Sequence, residues 1–369
     1  MTPGSQLPLH IDPHANLPIF AQLKQQITWL IASGRIKPDD RLPTIRELAD
    51  QLDIHMHTIR QAYHSLEADG LVEMRPSRGT RVLPFDAKKI SGQKPAHPSH
   101  TIGVLIPTMN PFYDPFLDGL EETARRASYL LTISFTRDDR ELTRQLSQQL
   151  LAKNVDGVVA TSTSPNVLNE TSASNLPPIV YVDSPLVASN VILLDLEGAG
   201  FKAANHLIEH GHRKIGLITA PLTWPNFHES YKGYQRALNA SNLDLDPAIV
   251  IESPAYSLES GYQSALQMLE LNKPPTAIFV SGDLLAAGAI RAVKDSGRRV
   301  PDDIAIVSKD NIELAALIDP PLTTVASPAY QMGVEAMNML IRLIAGKRLD
   351  KKRIVMPTEL IVRKSCGCK

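Results

Sequence analysis

The hydrophobic pattern of this chain changes type across one short segment, and the change limits the folds open to it. Residues 86–100, DAKKISGQKPAHPSH, combine Lys, Gly, Pro, His and Ser with almost no apolar side chains, which is the composition of a linker. Before this segment, apolar residues recur at helical spacing. After it, short continuous apolar runs alternate with helical stretches. The sequence therefore predicts one domain over 9–85 and a second, larger domain over 101–369.

Length and composition exclude several classes of protein. The 369 residues suffice for two or three domains, and 43% hydrophobic with 21% charged residues is typical of a soluble globular protein. A net charge of −1 means that any binding of nucleic acid must depend on the local placement of charge. The start of the chain lacks a signal-peptide pattern, and no apolar run approaches the roughly 20 residues of a membrane span. We expect a cytoplasmic protein with no membrane partner.

The two cysteines, Cys366 and Cys368, lie within the last four residues and cannot cross-link the fold. Their placement fits a reducing compartment, and we interpret them as part of a mobile tail. Metal binding or redox sensing by the pair is the alternative. His210 and His212 flank Gly211 at the end of a helical stretch, which is more typical of a turn than of a metal site. The sequence predicts no metal and no cofactor.

The first domain has the pattern of an α+β winged helix-turn-helix. An apolar stripe from Ile19 to Ile31 predicts the first helix, and Thr44 and Glu47 have the spacing of a capping box at the start of the second. The third helix is predicted to begin near His57. Two short strands over 71–75 and 80–83 follow it as a hairpin. This order of elements places the third helix in the major groove of DNA.

Several polar side chains of this domain suit contacts with DNA. Arg46 lies at a helix start, where backbone N–H groups favour phosphate, and Arg60 can make a two-pronged contact with guanine or clamp a phosphate. Arg78 and Gly79 form a hairpin tip that can approach the minor groove or a phosphate. The exposed side of the third helix adds three further candidates, His55, His57 and Thr58. The alternative is that these are solvated surface residues.

In the second domain, continuous Val, Ile and Leu runs indicate strands buried on both faces of a parallel α/β sheet. Ligands of such sheets bind beyond the carboxyl ends of the strands. The candidate effector-binding residues follow the apolar runs: Asn110, Phe112, Tyr113, Asp138, Thr161, Asp183, Asp195, Trp224, Tyr256, Asp283 and Asp310. Carboxylates accept hydrogen bonds from hydroxyls, and aromatic rings pack on sugar faces, so a polyhydroxylated ligand is predicted. The alternative for any one aspartate, Asp283 among them, is a helix N-cap.

The N-terminal stretch 18–82 resembles the DNA-binding domain of the GntR family along its whole length. The matching motifs include Gly34-Arg35-Ile36, Arg46-Glu47-Leu48-Ala49, Leu66-Glu67-Ala68-Asp69-Gly70-Leu71 and Arg78-Gly79-Thr80. The resemblance implies that Arg46, Arg60 and Gly79 contact the operator. Met56 stands where many members have an arginine at the start of the recognition helix, so we expect a different base preference.

Residues 101 to about 365 resemble the effector domain of the LacI/GalR family. The matching motifs include Ile102-Gly103-Val104-Leu105-Ile106-Pro107, His206-Leu207-Ile208-Glu209-His210-Gly211-His212-Arg213-Lys214-Ile215 and Asp319-Pro320-Pro321-Leu322-Thr323-Thr324-Val325. The resemblance implies a two-lobed periplasmic-binding-protein-like fold with parallel sheets.

The same resemblance implies where the chain passes between the lobes. Lobe 1 is expected over about 101–195 and 328–352, and lobe 2 over about 197–327 and 354–369. The three crossovers are then expected near 195–197, 327–330 and 352–354.

The chain departs from the LacI/GalR pattern at its expected ligand site. Ser184 and Ser230 stand where members often have arginine, and Gly282 and Leu196 stand where they often have asparagine. Asp310 is kept. A site that keeps carboxylates and loses arginines favours a neutral sugar or glycoside, with a nucleoside-like or cationic ligand as the alternative.

The two resemblances together imply a transcription regulator, most simply a repressor of carbohydrate-utilisation genes whose operator affinity is switched by the effector. They imply a homodimer on an inverted repeat of double-stranded DNA. The pairing of the two domain types is uncommon and is similar to that of arabinose-responsive repressors of bacilli. An enzyme with an appended DNA-binding module is the alternative from another class. No Gly-x-Ser-x-Gly elbow or Walker loop supports it, so we expect no enzymatic activity.

Overall fold

The structure is a computed structural model, and it describes residues 7–12, 17–32, 34–75, 79–84, 99–161 and 177–368. Arg78 and most of the predicted linker, residues 86–98, lie outside these ranges. Residue contacts divide the chain into two compact units. Unit 1 comprises Met1–Thr108, Ala124–Val180 and Met339–Leu349, and unit 2 comprises Met109–Thr123, Tyr181–Asn338 and Asp350–Lys369.

The N-terminal domain consists of three helices and a small antiparallel sheet. The helices are α1 (Ile19–Ala32), α2 (Ile45–Leu52) and α3 (Met56–Ala68). The strands are β1 (Arg41–Leu42), β2 (Val72–Arg75) and β3 (Gly79–Val82), in the order β1-β3-β2. The predicted helices and hairpin are confirmed, whereas the two-residue strand β1 was not predicted.

The apolar stripes of the three helices form one core. Leu23 and Ile27 of α1 and Ile59 and Tyr63 of α3 are all fully buried. The Tyr63 hydroxyl donates a hydrogen bond to the carbonyl of Pro43 at 2.8 Å, so the ring also fixes the turn that precedes α2. Because the core occupies one side of α3, the other side is left for solvent.

A capping box starts α2, as its spacing predicts. Thr44 Oγ1 accepts a hydrogen bond from the Glu47 backbone at 3.2 Å, and the Glu47 carboxylate accepts one from the Thr44 backbone at 2.8 Å. We expect Thr44→Ala to lower the free energy of unfolding of this domain by about 1 kcal/mol, because it leaves a helix N–H without its acceptor. Urea denaturation followed by circular dichroism measures the change. Thr44→Ser keeps the hydroxyl and is the control; an equal loss in both variants would contradict the capping explanation.

The first large sheet has six strands in the order β14-β8-β7-β6-β4-β5. They are β4 (Thr101–Ile106), β5 (Leu130–Phe135), β6 (Gly157–Thr161), β7 (Ile179–Val182), β8 (Val191–Leu194) and β14 (Arg353–Met356). Two helices, α4 (Tyr113–Arg126) and α5 (Arg140–Ala152), lie between strands of this sheet in the sequence, and α11 (Ala329–Ile344) precedes β14.

The second large sheet, in unit 2, has six strands in the order β10-β9-β11-β12-β13-β15. They are β9 (Ile215–Thr219), β10 (Val250–Glu252), β11 (Ala277–Val280), β12 (Ala305–Asp310), β13 (Thr323–Ala326) and β15 (Glu359–Ile361), the last antiparallel to β13. The connecting helices are α6 (Leu196–Glu209), α7 (Pro225–Ala240), α8 (Leu258–Leu269), α9 (Asp283–Asp295) and α10 (Leu314–Leu317), with a 3₁₀ turn at Pro247–Ile249.

The prediction of parallel sheets is confirmed. Every residue of β6, β8, β9 and β11 is buried, as expected for interior strands of parallel sheets. The sequence did not predict β13, β14 and β15, which are short and include polar or half-exposed residues. Since β14 pairs with β8, the first sheet continues to Met356.

Within the described ranges, no helix combines the length and the apolar character that crossing a bilayer requires.

Candidate DNA-binding surface and effector site

The N-terminal end of α3 carries the predicted recognition residues on its solvent side. His55 is the N-cap, and its Nδ1 accepts a hydrogen bond from the His57 backbone at 3.1 Å. His55, His57 and Arg60 are exposed, and Thr58 is half-buried beside the core residue Ile59. The predicted DNA-facing side of α3 is therefore available to a ligand.

Arg46 and Arg60 are both exposed, on α2 and α3 respectively. Among the described residues, neither guanidinium has a hydrogen-bond or ion-pair partner. By contrast, Arg81 on β3 forms an ion pair with Asp39. Arg46 follows the N-cap Thr44 by two residues, so its position combines a positive side chain with the positive end of a helix. Within the described residues, both side chains are thus left without a polar contact.

Gly79 begins the second strand of the hairpin. It has φ +79, a conformation that strongly favours glycine, and no atom lies within 4 Å of the place that a Cβ would occupy. The hairpin backbone is exposed at this point, which suits close approach to another molecule. The neighbouring candidate, Arg78, lies outside the described residues.

A polar cluster in unit 2 joins three of the predicted effector-binding residues, Asp183, Tyr256 and Asp310. The Tyr256 hydroxyl donates to Asp310 Oδ2 at 2.8 Å, and Lys309 Nζ donates to Asp310 Oδ1 at 3.1 Å. Asp310 has φ +109, an unusual backbone conformation for a residue with a side chain, at the end of strand β12. Lys309 and Asp310 are both buried, so the lysine charge is matched by a carboxylate inside the protein.

Asp183 follows β7, and only one of its two carboxylate oxygens accepts a hydrogen bond from the described residues. Its Oδ2 accepts a hydrogen bond from Asn226 Nδ2 at 2.7 Å. Its Oδ1 is buried and has no hydrogen-bond partner among the described residues. Burial raises the pKa of Asp183 to about 6; Lys309 opposes this rise and Asp310 adds to it. A buried acceptor without a partner lowers the stability of the fold. Together with the raised pKa, it makes Asp183 a candidate binding residue.

Three aromatic rings continue the site. The ring centroids of Trp224 and Phe227 are 5.8 Å apart, and those of Phe227 and Tyr256 are also 5.8 Å apart. Trp224 is 36% exposed, whereas Tyr256 is half-buried and bonded to Asp310, so the row leads from solvent towards the polar cluster. Lys309 Nζ lies 5.1 Å from the centroid of the Phe227 ring. Apolar ring faces beside hydrogen-bonding carboxylates suit the two kinds of surface that a sugar presents.

Three of the positions that depart from the family pattern, Ser184, Ser230 and Gly282, lie in closely packed surroundings. Gly282 has φ +141, and a Cβ there would lie 2.3 Å from the Tyr256 ring, so the tyrosine excludes a larger residue. Ser230 is fully buried in α7, and its hydroxyl has no hydrogen-bond partner among the described residues. Ser184 is buried and donates to the carbonyl of Val182.

Asp283 is committed to the protein itself. It is the first residue of α9, whose N-cap is Gly282, so the N-cap alternative for Asp283 is wrong. Its two oxygens accept hydrogen bonds from the Ile312 backbone at 2.8 Å and from Thr324 Oγ1 at 2.6 Å. Burial and, next, the charge of Asp310 raise the pKa of Asp283 to about 7. Asp283 therefore holds the turn that follows Asp310.

The remaining predicted residues occupy other turns and strand ends. Asp195 is the N-cap of α6, and Asn110 Oδ1 accepts a hydrogen bond from the Phe112 backbone. The ring of Tyr113 lies between those of Phe112 and Phe116, with centroid distances of 5.4 and 6.2 Å. Two candidates belong to unit 1. There the Thr161 hydroxyl is buried near the carbonyl of Leu105, and Asp138 is exposed with φ +54.

Sequence reasoning missed three residues of the cluster, Asn226, Phe227 and Lys309. Asn226 and Phe227 lie two and three positions after Trp224 on the first turn of α7, so the helical spacing was a usable signal. Lys309 is adjacent to Asp310 but lies within a strand in which every residue is buried. No sequence pattern marks a buried lysine in such a strand as part of a site.

Models of two protein families match this chain. "Bacterial regulatory proteins, gntR family" matches residues 20–82, and "Periplasmic binding protein-like domain" matches residues 204–366. The match over 20–82 covers all three helices and the hairpin of the N-terminal domain. The match over 204–366 covers most of unit 2, including Asn226, Tyr256 and Asp310.

Curated relatives are bacterial regulators. The HTH-type transcriptional regulator DegA of Bacillus subtilis is 34% identical over 274 residues, which are 72% of this chain and 81% of DegA. The HTH-type transcriptional repressor PurR of Aliivibrio salmonicida is 30% identical over 335 residues, 88% of this chain and 99% of PurR. The HTH-type transcriptional repressor CytR of Escherichia coli is 29% identical over 336 residues, 90% of this chain and 98% of CytR.

Solved structures agree with the fold. Transcription regulator CcpA of Lactococcus lactis has a TM-score of 0.67 at 28% identity, over 72% of this chain and 99% of that chain. A LacI family transcriptional regulator from Enterococcus faecium with bound ribose has a TM-score of 0.64 at 26% identity, over 72% of this chain and 98% of that chain. The chain therefore belongs to the LacI family of bacterial transcription regulators, with a GntR-type DNA-binding domain at its N-terminus, and it is not an enzyme.

Proposed function

We propose that this regulator represses carbohydrate-utilisation genes and releases its operator when a neutral sugar or glycoside binds near Asp183. The observation that carries the proposal is the buried, unpartnered Oδ1 of Asp183. A sugar hydroxyl would donate to this oxygen, and the row Trp224–Phe227–Tyr256 would cover an apolar sugar face. The charge of Lys309 is already matched by Asp310, so no free cation of this cluster favours a phosphate or carboxylate ligand.

Two similar structures support a sugar of modest size. The Enterococcus faecium regulator holds ribose, and a regulator from Alkaliphilus metalliredigens, 26% identical with a TM-score of 0.66, holds D-xylulofuranose. Both ligands are neutral and polyhydroxylated. Pentoses, L-arabinose among them, are therefore the first candidates for this chain.

Isothermal calorimetry on the full chain tests the ligand class. The panel is D-ribose, L-arabinose, D-xylose, cellobiose and adenosine, with ribose 5-phosphate as the charged contrast. We expect one neutral sugar to bind with a micromolar or lower Kd and to be recovered unchanged. Tight binding of ribose 5-phosphate alone would overturn the neutral-ligand proposal, and tight binding of adenosine alone would favour the nucleoside-like alternative.

We also propose that the DNA-bound form is a homodimer, with two α3 helices on the half-sites of an inverted repeat. In this arrangement Arg46, His55, His57, Thr58, Arg60 and the hairpin around Arg78 and Gly79 contact each half-site. Effector binding would change the spacing or orientation of the two helices. A near-complete switch needs an effector that binds one state about 10⁴-fold more tightly than the other. Light scattering with and without an operator duplex measures the assembly, and a monomer on DNA would contradict it.

Operator affinity is expected to fall steeply with salt. If a dimer neutralises about six to ten phosphates, Kd rises roughly 10³- to 10⁵-fold between 50 and 200 mM monovalent salt, because phosphate contacts release counterions. Fluorescence anisotropy measures the dependence on a duplex selected from a random library by the full chain. Sugar binding to the same preparation is the control and should change little over this range. A flat salt dependence for DNA would argue against the proposed contacts.

A further inference from the structure

Four side chains with metal-binding atoms meet near the C-terminal end of α6, within unit 2. His206 is on α6, and His210, four residues later, is the C-cap of this helix. Cys368 Sγ lies 3.2 Å from Nε2 of His206 and 3.0 Å from Nε2 of His210. Cys366 Sγ lies 2.9 Å from Cys368 Sγ, and both thiols are free. The two pairs are more than 150 residues apart in sequence, so only the fold brings them together.

The segment that carries the two cysteines is firmly attached to the second sheet. Ser365 Oγ donates to the carbonyl of Ile306 at 2.6 Å and accepts from the Thr323 backbone at 2.8 Å. Ser365 and Cys366 are buried. Gly367, between the cysteines, has φ +80, and this turn leaves both sulfurs near the histidines. The interpretation of these residues as a mobile tail is therefore wrong.

We propose that His206, His210, Cys366 and Cys368 form a structural zinc site. Two thiolates and two imidazoles, with histidines four residues apart, are a donor set that Zn²⁺ prefers in closed, four-coordinate sites. Donor atoms around a tetrahedral zinc ion are about 3.3–3.8 Å apart. The donor atoms of His206, His210 and Cys368 already lie within 4.8 Å of one another. The fourth donor, Cys366 Sγ, lies 2.9 Å from Cys368 Sγ and so adjoins this group.

The surroundings orient the donors as a metal site requires. His210 Nδ1 lies 2.7 Å from the carbonyl of His206. A carbonyl only accepts, so Nδ1 carries the proton and Nε2 keeps its lone pair for the metal. Thr323 Oγ1 donates to Cys366 Sγ at 3.1 Å, a bond that favours a thiolate. His210 is exposed, so the site has a route to solvent.

Zinc binding at this site involves no oxidation. One Zn²⁺ ion replaces two thiol protons, which pass to the solvent, so the affinity decreases as the pH is lowered. The metal joins the C-terminal segment to α6, and this cross-link would stabilise unit 2 in the folded state.

Metal titration of the full chain tests the site. The protein is prepared with a reductant, treated with a chelator, and titrated with Zn²⁺ alone or with Co²⁺ as a spectroscopic probe. We expect one ion per chain, a Kd of about 10⁻⁸ M or lower for Zn²⁺, and a Co²⁺ spectrum with thiolate charge-transfer bands. We also expect Zn²⁺ to raise the Tm of the stripped protein by roughly 5 °C or more.

Two variants at solvent-accessible ligands keep the test independent of folding. Cys368→Ser and His210→Ala should each weaken Zn²⁺ binding by at least about 100-fold. Loss of a hydrogen-bond partner of a metal ligand already lowers metal affinity by about 10- to 100-fold, and loss of the ligand itself should lower it further. His228→Ala removes an exposed histidine on α7 and should bind zinc normally. Equal zinc binding in all three variants would overturn the proposal. A mass lower by about two hydrogens, with no metal bound under the same reducing conditions, would instead assign the pair to a disulfide.

Discussion

Asp183→Asn is expected to weaken sugar binding by about 10- to 150-fold and, at the same time, to stabilise the folded protein at pH 8. The loss of affinity follows because an amide replaces a charged acceptor, and hydrogen bonds to charged groups contribute about 1.5–3 kcal/mol. The local structure should persist. Asparagine tolerates the left-handed backbone, φ +53 at this position, and its carbonyl can still accept the bond from Asn226.

The gain in stability has a defined pH dependence. Because burial raises the pKa of Asp183 to about 6 in the folded protein, the protonated carboxyl adds stability at low pH. That contribution is complete below the ordinary pKa of about 4 and is lost as the pH rises through 6. The neutral amide suffers no such loss. The variant should therefore exceed the wild type by on the order of 1–3 kcal/mol at pH 8 and by little at pH 4.

Chemical denaturation at pH 4, 6 and 8, together with calorimetry using the sugar found in the panel, measures both effects. Asp295→Asn is the matched control. Its carboxylate pairs with Arg291 on the surface of α9, so the same change of charge should leave sugar affinity unaltered. Unchanged sugar affinity in Asp183→Asn would remove this residue from the site. A loss of stability at pH 8 would contradict the argument from its buried, unpartnered oxygen.

Arg60→Ala is expected to weaken binding to the selected operator by about 5- to 150-fold, or roughly 1–3 kcal/mol, if the guanidinium reads a base. Arg60 is exposed near the start of α3 and has no partner among the described residues, so the substitution breaks no internal contact. Stability should be nearly unchanged. A reduced preference for the operator over random DNA distinguishes base reading from general attraction.

Fluorescence anisotropy on the operator and on a scrambled duplex of equal length measures this preference. Arg291→Ala is the control, because it removes one exposed arginine from α9 of the effector domain. Equal losses on both duplexes would mean that Arg60 contacts only phosphate, with a salt dependence reduced by about one unit of slope. An operator affinity equal to that of the control would exclude Arg60 from the DNA-binding surface.

The two predictions concern polar groups without a protein partner in opposite surroundings, one exposed to solvent and one buried. Arg60 has no partner among the described residues and is exposed to solvent, where a free charge is inexpensive, and we expect it to gain a partner on DNA. Oδ1 of Asp183 is buried without a partner among the described residues, where such an acceptor lowers stability, and we expect a ligand to supply the donor. Functional sites commonly accept such a loss of stability.

Local sequence patterns predicted most of the described helices and strands of both domains, but not the short strands β1, β13, β14 and β15. Periodicity and the Thr44–Glu47 capping box predicted α1, α2 and α3, since a helix start depends on contacts between residues three or four positions apart. Continuous apolar runs likewise predicted strands such as Ile215–Thr219, because both faces of a parallel sheet are buried.

Only the tertiary structure decided which polar residues act together. Asp183 and Asp283 both follow buried strands in the sequence, yet both oxygens of Asp283 are bonded internally, whereas Oδ1 of Asp183 has no partner among the described residues. The Cys366–Cys368 pair suggested metal binding only as an alternative and His206 gave no signal, because their contact depends on how the C-terminal segment packs against α6. Sequence determines patterns that repeat within a few residues. Contacts between distant segments depend on how helices and sheets pack, and packing is what distinguishes a structural carboxylate from a binding one.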